Sequence, residues 1–240
     1  MRRSNAPALL VICATVPQPI GPGACAAWLD AAAKLPAGVT WTADCDTLAA
    51  VVAAARQRGQ AVPRLALTLS PDWLDSRATL RRMLTAVREI VPGLDTAVLQ
   101  GPRPLAHQSL LAEEGIRVAA VDTAADAGRG GRRPAPAGWR CRNPAWGLWE
   151  VQVDPAQPVG WMGWLRSGPL PRPRPGMLHV LHAGAVSAEQ PGAGRLGRWL
   201  GWAAGQTAAG RLRLTGLGTL PAILARGESQ PISGSVLKAA

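Results

Sequence analysis

Three histidines, two carboxylates next to predicted strand ends and four cysteines are the side chains here whose chemistry could exceed packing. His182 stands at the carboxyl end of the apolar run MLHVLHAG, where an imidazole can exchange protons near neutral pH. His179 lies three residues earlier. Alternate residues of a strand share a face, so 179 and 182 cannot both aim at one site. His107, near the start of a helical pattern, reads as a surface or capping residue. Asp72 follows Pro71 just beyond a predicted strand and suits either a turn or an oxygen ligand. Asp122 closes another strand, a position used both for catalysis in barrels and for capping the next helix. Thr68, Gln100, Arg103 and Trp149 complete the candidate pocket side chains near strand ends. There is no Ser/His/Asp triad, P-loop or GxGxxG. The GxGTL at 216–220 lacks the spacing and acid partner of a dinucleotide fingerprint.

The cysteines at 13, 25, 45 and 141 have no CxxC spacing and are too sparse for a disulfide scaffold. Cys13 sits inside an apolar strand pattern and Cys25 at a helix start, which makes them small buried hydrophobes.

Hydrophobic period supplies the elements that must position these groups. Residues 65–121 read strand, amphipathic helix, strand, helix, strand, a parallel αβ wind whose strand ends carry any site. Upstream, 8–16 and 39–42 read as strands, with helices over 24–35 and 47–58, the second capped by Asp44 or Asp46. Ser76 caps the most periodic helix, with Leu80, Met83, Leu84, Val87, Ile90 and Val91 as its apolar stripe and Arg77, Arg81, Arg82 and Arg88 outward. Further strands fall at 147–153, 177–183 and 211–215, with a helix over 195–208. Helix after strand at this cadence gives right-handed crossovers and an α/β fold of mostly parallel strands. One domain over 1–226 is expected, with Gly/Pro/Arg-rich insert loops at 124–142 and 154–176 and a flexible tail at 227–240.

The chain has 240 residues, 48% of them hydrophobic, enough for a sizeable core. The absence of Phe and Tyr beside ten Trp reads as codon bias, because Leu, Val and Ala carry the periodicity. A formal charge of +11 raises the question of an anionic partner. Yet the arginines are scattered, and the runs Arg129, Arg132, Arg133, Arg140, Arg142 and Arg166, Arg172, Arg174 come with no groove-reading helix, zinc finger or aromatic platform. Nucleic acid is not the expected partner. The start, basic and then apolar up to Val16 with Ala24-Cys25-Ala26 following, imitates a secretory signal; ALLVICATV also fits a buried parallel strand, and the wind needs a first strand. The strand reading implies a cytoplasmic protein and the signal reading an exported one. No transmembrane segment is expected.

The order of pieces resembles the polysaccharide deacetylase or NodB-homology group, carbohydrate esterase family 4, from about Pro7 to Arg226. GVTWTAD with the helix to RQRGQ, LALTLSPDW, LQGPRP, EEGIRVAAVD, LHVLHAG and LRLTGLGTLPAIL stand where that group has its successive strands and motifs. The resemblance implies an irregular (β/α) barrel, hydrolase chemistry, a divalent metal held by an Asp and two His, a second Asp as base and the last-motif His as general acid. His182 matches that last histidine. The first strand, LLVICATVPQP, has no carboxylate, and Thr68, Leu69, Ser70 and Pro71 stand where the metal-binding histidines would fall. Gln100-Gly101-Pro102 replaces the third motif's Arg-x-Pro, with Arg103 adjacent. One carboxylate, Asp72, beside a threonine does not hold a first-row metal, and without metal the attacking water keeps its high pKa. The expectation is a degenerate member binding a saccharide or small polar ligand with no metal or other cofactor. The alternatives are a rearranged hydrolase using Asp72, Asp122 and His182, and an anionic-polymer binder using the Arg-rich loops.

Overall fold

A first strand buried on both faces sets the architecture. The computed structural model describes residues 6–70, 76–99, 108–122, 141–145, 147–153 and 173–225. Strand β1 (Ala8–Thr15) is buried through Ala14. Its Leu10, Ile12 and Ala14 belong to one apolar cluster, and its Leu9, Val11 and Cys13 to another. A strand covered on both faces needs a continuous apolar run rather than alternation, and ALLVICAT supplies one.

Around it lie β2 (Val39–Ala43), β3 (Leu65–Leu69), β4 (Thr96–Leu99), β5 (Val118–Asp122), β6 (Cys141–Ala145), β7 (Leu148–Val153), β8 (Leu178–Ala185) and β9 (Leu212–Thr215). Seven parallel strands run β7-β5-β4-β3-β2-β1-β8, and β7 and β8 approach each other across the seam, so the sheet nearly closes into a barrel. One edge of β1 pairs with β8. The other is shared, with β9 along Ala8 to Val11 and β2 along Ile12 to Thr15. β6 lies at the sheet edge, antiparallel to β7.

Helices α1 (Pro22–Ala32), α2 (Cys45–Gln57), α3 (Arg77–Ile90), α4 (Gln108–Glu113), α5 (Gly194–Ala208) and α6 (Leu220–Ala225) alternate with the strands, and a 3₁₀ turn (Leu217–Thr219) leads into α6. The outer cluster lies between strands and helices. There Trp28 of α1 meets Trp41 of β2 edge to face, ring centres 5.0 Å apart at 82°. The inner cluster fills the barrel with Val98, Val118, Ala120, Val151, Leu178, Val180 and the 3₁₀–α6 residues Leu217, Leu220, Ile223 and Leu224.

Local chemistry explains the helix starts. Of the two acids before α2, Asp44 is the cap: its Oδ1 accepts the Thr47 N–H at 2.8 Å. The Ser76 hydroxyl oxygen accepts the Thr79 N–H at the start of α3. The buried stripe of α3 is Leu80, Leu84 and Val87, and Met83 and Ile90 are half-covered. Its outward Arg81 and Arg88 reach Glu114 beyond α4, at 2.7 and 3.3 Å.

The sheet differs from expectation at β6. Residues 141–145 read as the end of a loop and the start of its exit, yet they pair with β7 after a turn at Gly147, where φ is +80°. Pro144 obscures a strand pattern, and an edge strand is where a proline can be accommodated. The rest of 124–142, most of 154–176 and the tail lie outside the described residues. The apolar amino-terminal run is the central strand, and no helix among the described residues is long and apolar enough to cross a membrane.

Replacing the cap, Asp44→Ala, is expected to lower unfolding free energy by about 1 kcal/mol. Ile12→Ala, which empties a fully buried position, should cost roughly 2–5 kcal/mol. Urea denaturation of the two variants checks this, and equal losses would contradict the placement of either residue.

Candidate functional site

Strand parity carries three polar side chains to one place at the carboxyl end of the barrel. On β8, Leu178 and Val180 face the inner cluster and Leu181 the outer one, so His182 falls on the inner face. His179 falls on the outer face and is 3% exposed, as the alternation requires. Register pairs Thr15 with Thr42 and Cys13 with His182. The Thr15 and Thr42 hydroxyls lie 3.1 Å apart, and His182 Nε2 is 3.3 Å from Thr15 Oγ1 and 3.5 Å from Thr42 Oγ1.

A bulge fixes the imidazole. Between Cys13 and Thr15 on β1, β8 advances from His182 to Ala185, one residue more than its neighbour. Gly184 takes up the extra residue with φ +78°, a conformation that L side chains resist. Its N–H donates to His182 Nδ1 at 3.3 Å. A nitrogen accepting an amide proton presents its lone pair, so the neutral ring carries its proton on Nε2 and donates toward Thr15. Protonating Nδ1 as well would set two N–H groups against each other.

One pleat repeat further along the inner face stands Thr68. Thr42 pairs with Ala66 of β3, and Thr68 pairs with Val98, which continues to Ala120 and Val151. Its Oγ1 is buried without a hydrogen-bond partner among the described residues. An unsatisfied buried hydroxyl costs roughly 1–3 kcal/mol.

Of the remaining candidates, the described side chain of Trp149 lies elsewhere. Asp122 ends β5 opposite Val153, while Trp149 pairs with Val118 at the start of β5. Trp149 therefore packs on the inner cluster near the amino end of the barrel, away from His182. Asp72, Gln100, Arg103 and His107 lie outside the described residues. Thr15 and Thr42 were missed by sequence reasoning. Writing each strand's inner-face residues in register would have exposed them, since ICAT and VTWT each place a hydroxyl at the carboxyl end.

The thiol beside this cluster is not a nucleophile. Cys13 is wholly buried, and burial pushes its pKa up to about 12, so it stays protonated at neutral pH. Cys141 is pushed up to about 12 for the same reason, and Cys25 is raised by burial too. No three His, Cys, Asp or Glu side chains converge among the described residues. The donors that do converge are threonine hydroxyls and one imidazole whose Nδ1 already accepts a backbone proton. Among the described residues, that set does not supply the Asp and two His that a deacetylase metal would require.

Comparison with known proteins bears on the fold. No family model matches the chain, and no curated protein matches it. Among solved structures, a "putative polysaccharide deacetylase from Mycobacterium smegmatis" superposes with a TM-score of 0.53 over 94% of this chain and 93% of that one, at 13% identity. The likeness is one of fold: a deacetylase-like α/β barrel.

Thr68→Val keeps the shape and removes the orphan hydroxyl, so the variant should gain about 1 kcal/mol in urea unfolding. A loss of stability instead would mean that the hydroxyl is bonded within the folded protein.

Proposed function

We propose that this chain is a degenerate deacetylase-like protein that binds a saccharide or another small polar ligand at the carboxyl mouth without metal-dependent catalysis. The observation that carries the reading is the contact of Gly184 N–H with His182 Nδ1, which in the neutral ring directs the Nε2 proton at two threonine hydroxyls. A histidine acting as general acid must be able to carry a proton on both nitrogens, and here the second position faces a backbone donor. As a neutral group its use is to hold a ligand oxygen in place.

Sugar hydroxyls both donate and accept, and so do Thr15 and Thr42, whose protons can be directed to each other or to a ligand. Thr68 adds a buried hydroxyl with its hydrogen-bonding capacity unused. The fold likeness to a deacetylase supports a saccharide as the ligand class.

The test is calorimetric titration of the purified protein with N-acetylated chito-oligosaccharide, together with elemental analysis and acetate detection. Binding should survive chelation, release no acetate, and weaken roughly three- to tenfold in His182→Ala and in Thr42→Val, the value of one net hydrogen bond. Stoichiometric zinc, or acetate release that a chelator abolishes, would overturn the reading.

A further inference from the structure

The opposite end of the barrel holds a charged cavity that the carboxyl-end site does not use. It measures about 220 Å³ and is lined by Thr40, Arg64, Leu65, Asp95, Thr96 and Gly218. Every one of these comes from a strand start or from the 3₁₀ turn that closes the amino end.

Its floor is fixed. Thr40 and Thr96 are buried, at 1% and 3% exposure. Thr40 Oγ1 accepts the Leu217 N–H at 2.9 Å, so its own proton remains available to donate, and no described residue takes it. Thr96 Oγ1 donates to the Leu65 carbonyl at 2.9 Å, so its oxygen remains able to accept. Two glycines lie beside the charged walls. A Cβ at 216 would lie 2.6 Å from Arg64 Nη1, and one at 218 would lie 3.3 Å from Asp95 Oδ1. A larger residue at 216 would require the flexible Arg64 side chain to move aside.

The two walls carry opposite charge yet form no ion pair with each other or with any other described side chain. Burial holds the Asp95 carboxyl above its usual range, and the nearby Arg117 draws it partly back. A half-buried carboxylate and a guanidinium sharing a cavity without pairing is an arrangement that a partner of matching charges would stabilise.

We infer that this amino-end cavity binds a small zwitterion of the α-amino-acid type, its carboxylate on Arg64 and its ammonium on Asp95, with Thr40 donating from the floor. The size agrees: pockets for drug-sized ligands run roughly 300–1,000 Å³, and this one is smaller. The inference does not rest on the saccharide reading, because the two sites share no residue.

The experiment is calorimetric titration of the full chain with each of the free proteinogenic L-amino acids, and with acetate and ethylammonium as the two halves of a zwitterion. At least one amino acid should bind one to one. Arg64→Gln and Asp95→Asn should each weaken it tenfold or more, and His182→Ala should leave it unchanged. Acetate and ethylammonium should bind far more weakly than the amino acid. Absence of binding across the panel would overturn the inference, as would binding indifferent to Arg64→Gln. So would acetate binding as tightly as the amino acid. Thermal unfolding of each variant without ligand reports its fold, and should Asp95→Asn not fold, the exposed Arg64 decides the matter through Arg64→Gln alone.

Discussion

The central strand must be covered on both faces, and most of the molecule follows from that. β1 pairs with β8 on one edge and with β9 and β2 on the other, so its register fixes the register of three strands at once. Because side chains alternate, Leu9, Val11 and Cys13 are committed to the barrel interior and Leu10, Ile12 and Ala14 to the helices. A slip of one residue would exchange inner for outer positions in every neighbour and put Leu181 where His182 now stands. The stabilisation that selects this register is apolar burial. The placement of the polar residues is its consequence, since Thr15, Thr42 and His182 meet only because the layers below them are packed.

The two ends of the barrel have different chemistry for a reason that lies in the same packing. Between them the interior is filled by Val11, Cys13, Ala66, Val180 and Leu217, dense enough to keep the two mouths apart. At the carboxyl end, the described groups that converge are two threonine hydroxyls and an imidazole. At the amino end, a guanidinium and a carboxylate are held near buried hydroxyls, matched to a ligand with both signs. Glycine marks both. Gly184 turns a strand so that its amide can hold an imidazole, and Gly216 and Gly218 lie beside two charged side chains.

Much of the fold was legible in the sequence because its signals are local. LALTL and TAVL are strands over the residues their apolar runs mark, and Asp44 and Ser76 cap the helices they precede. The strand over residues 141–145 was hidden by Pro144 and neighbouring Arg142, since an edge strand tolerates residues that a central one rejects. In the site, the separation of His179 from His182 follows from parity alone. The association of His182 with Thr15 and Thr42 does not, because it joins residues up to 167 positions apart through pairings that no single stretch encodes. Trp149 was grouped with the strand-end residues although it is the second residue of its strand, and direction along a parallel strand decides which mouth a side chain serves.

The central claim is that His182 is a neutral ring, protonated on Nε2 and accepting an amide proton at Nδ1. Nitrogen-15 NMR of the imidazole in uniformly labelled protein at neutral pH tests it directly. The account predicts an Nδ1 shift of the unprotonated type and an Nε2 shift of the protonated type, with Gly184→Ala disturbing the first. Two protonated nitrogens at neutral pH, or a shift that moves when a chelator strips a metal, would contradict it.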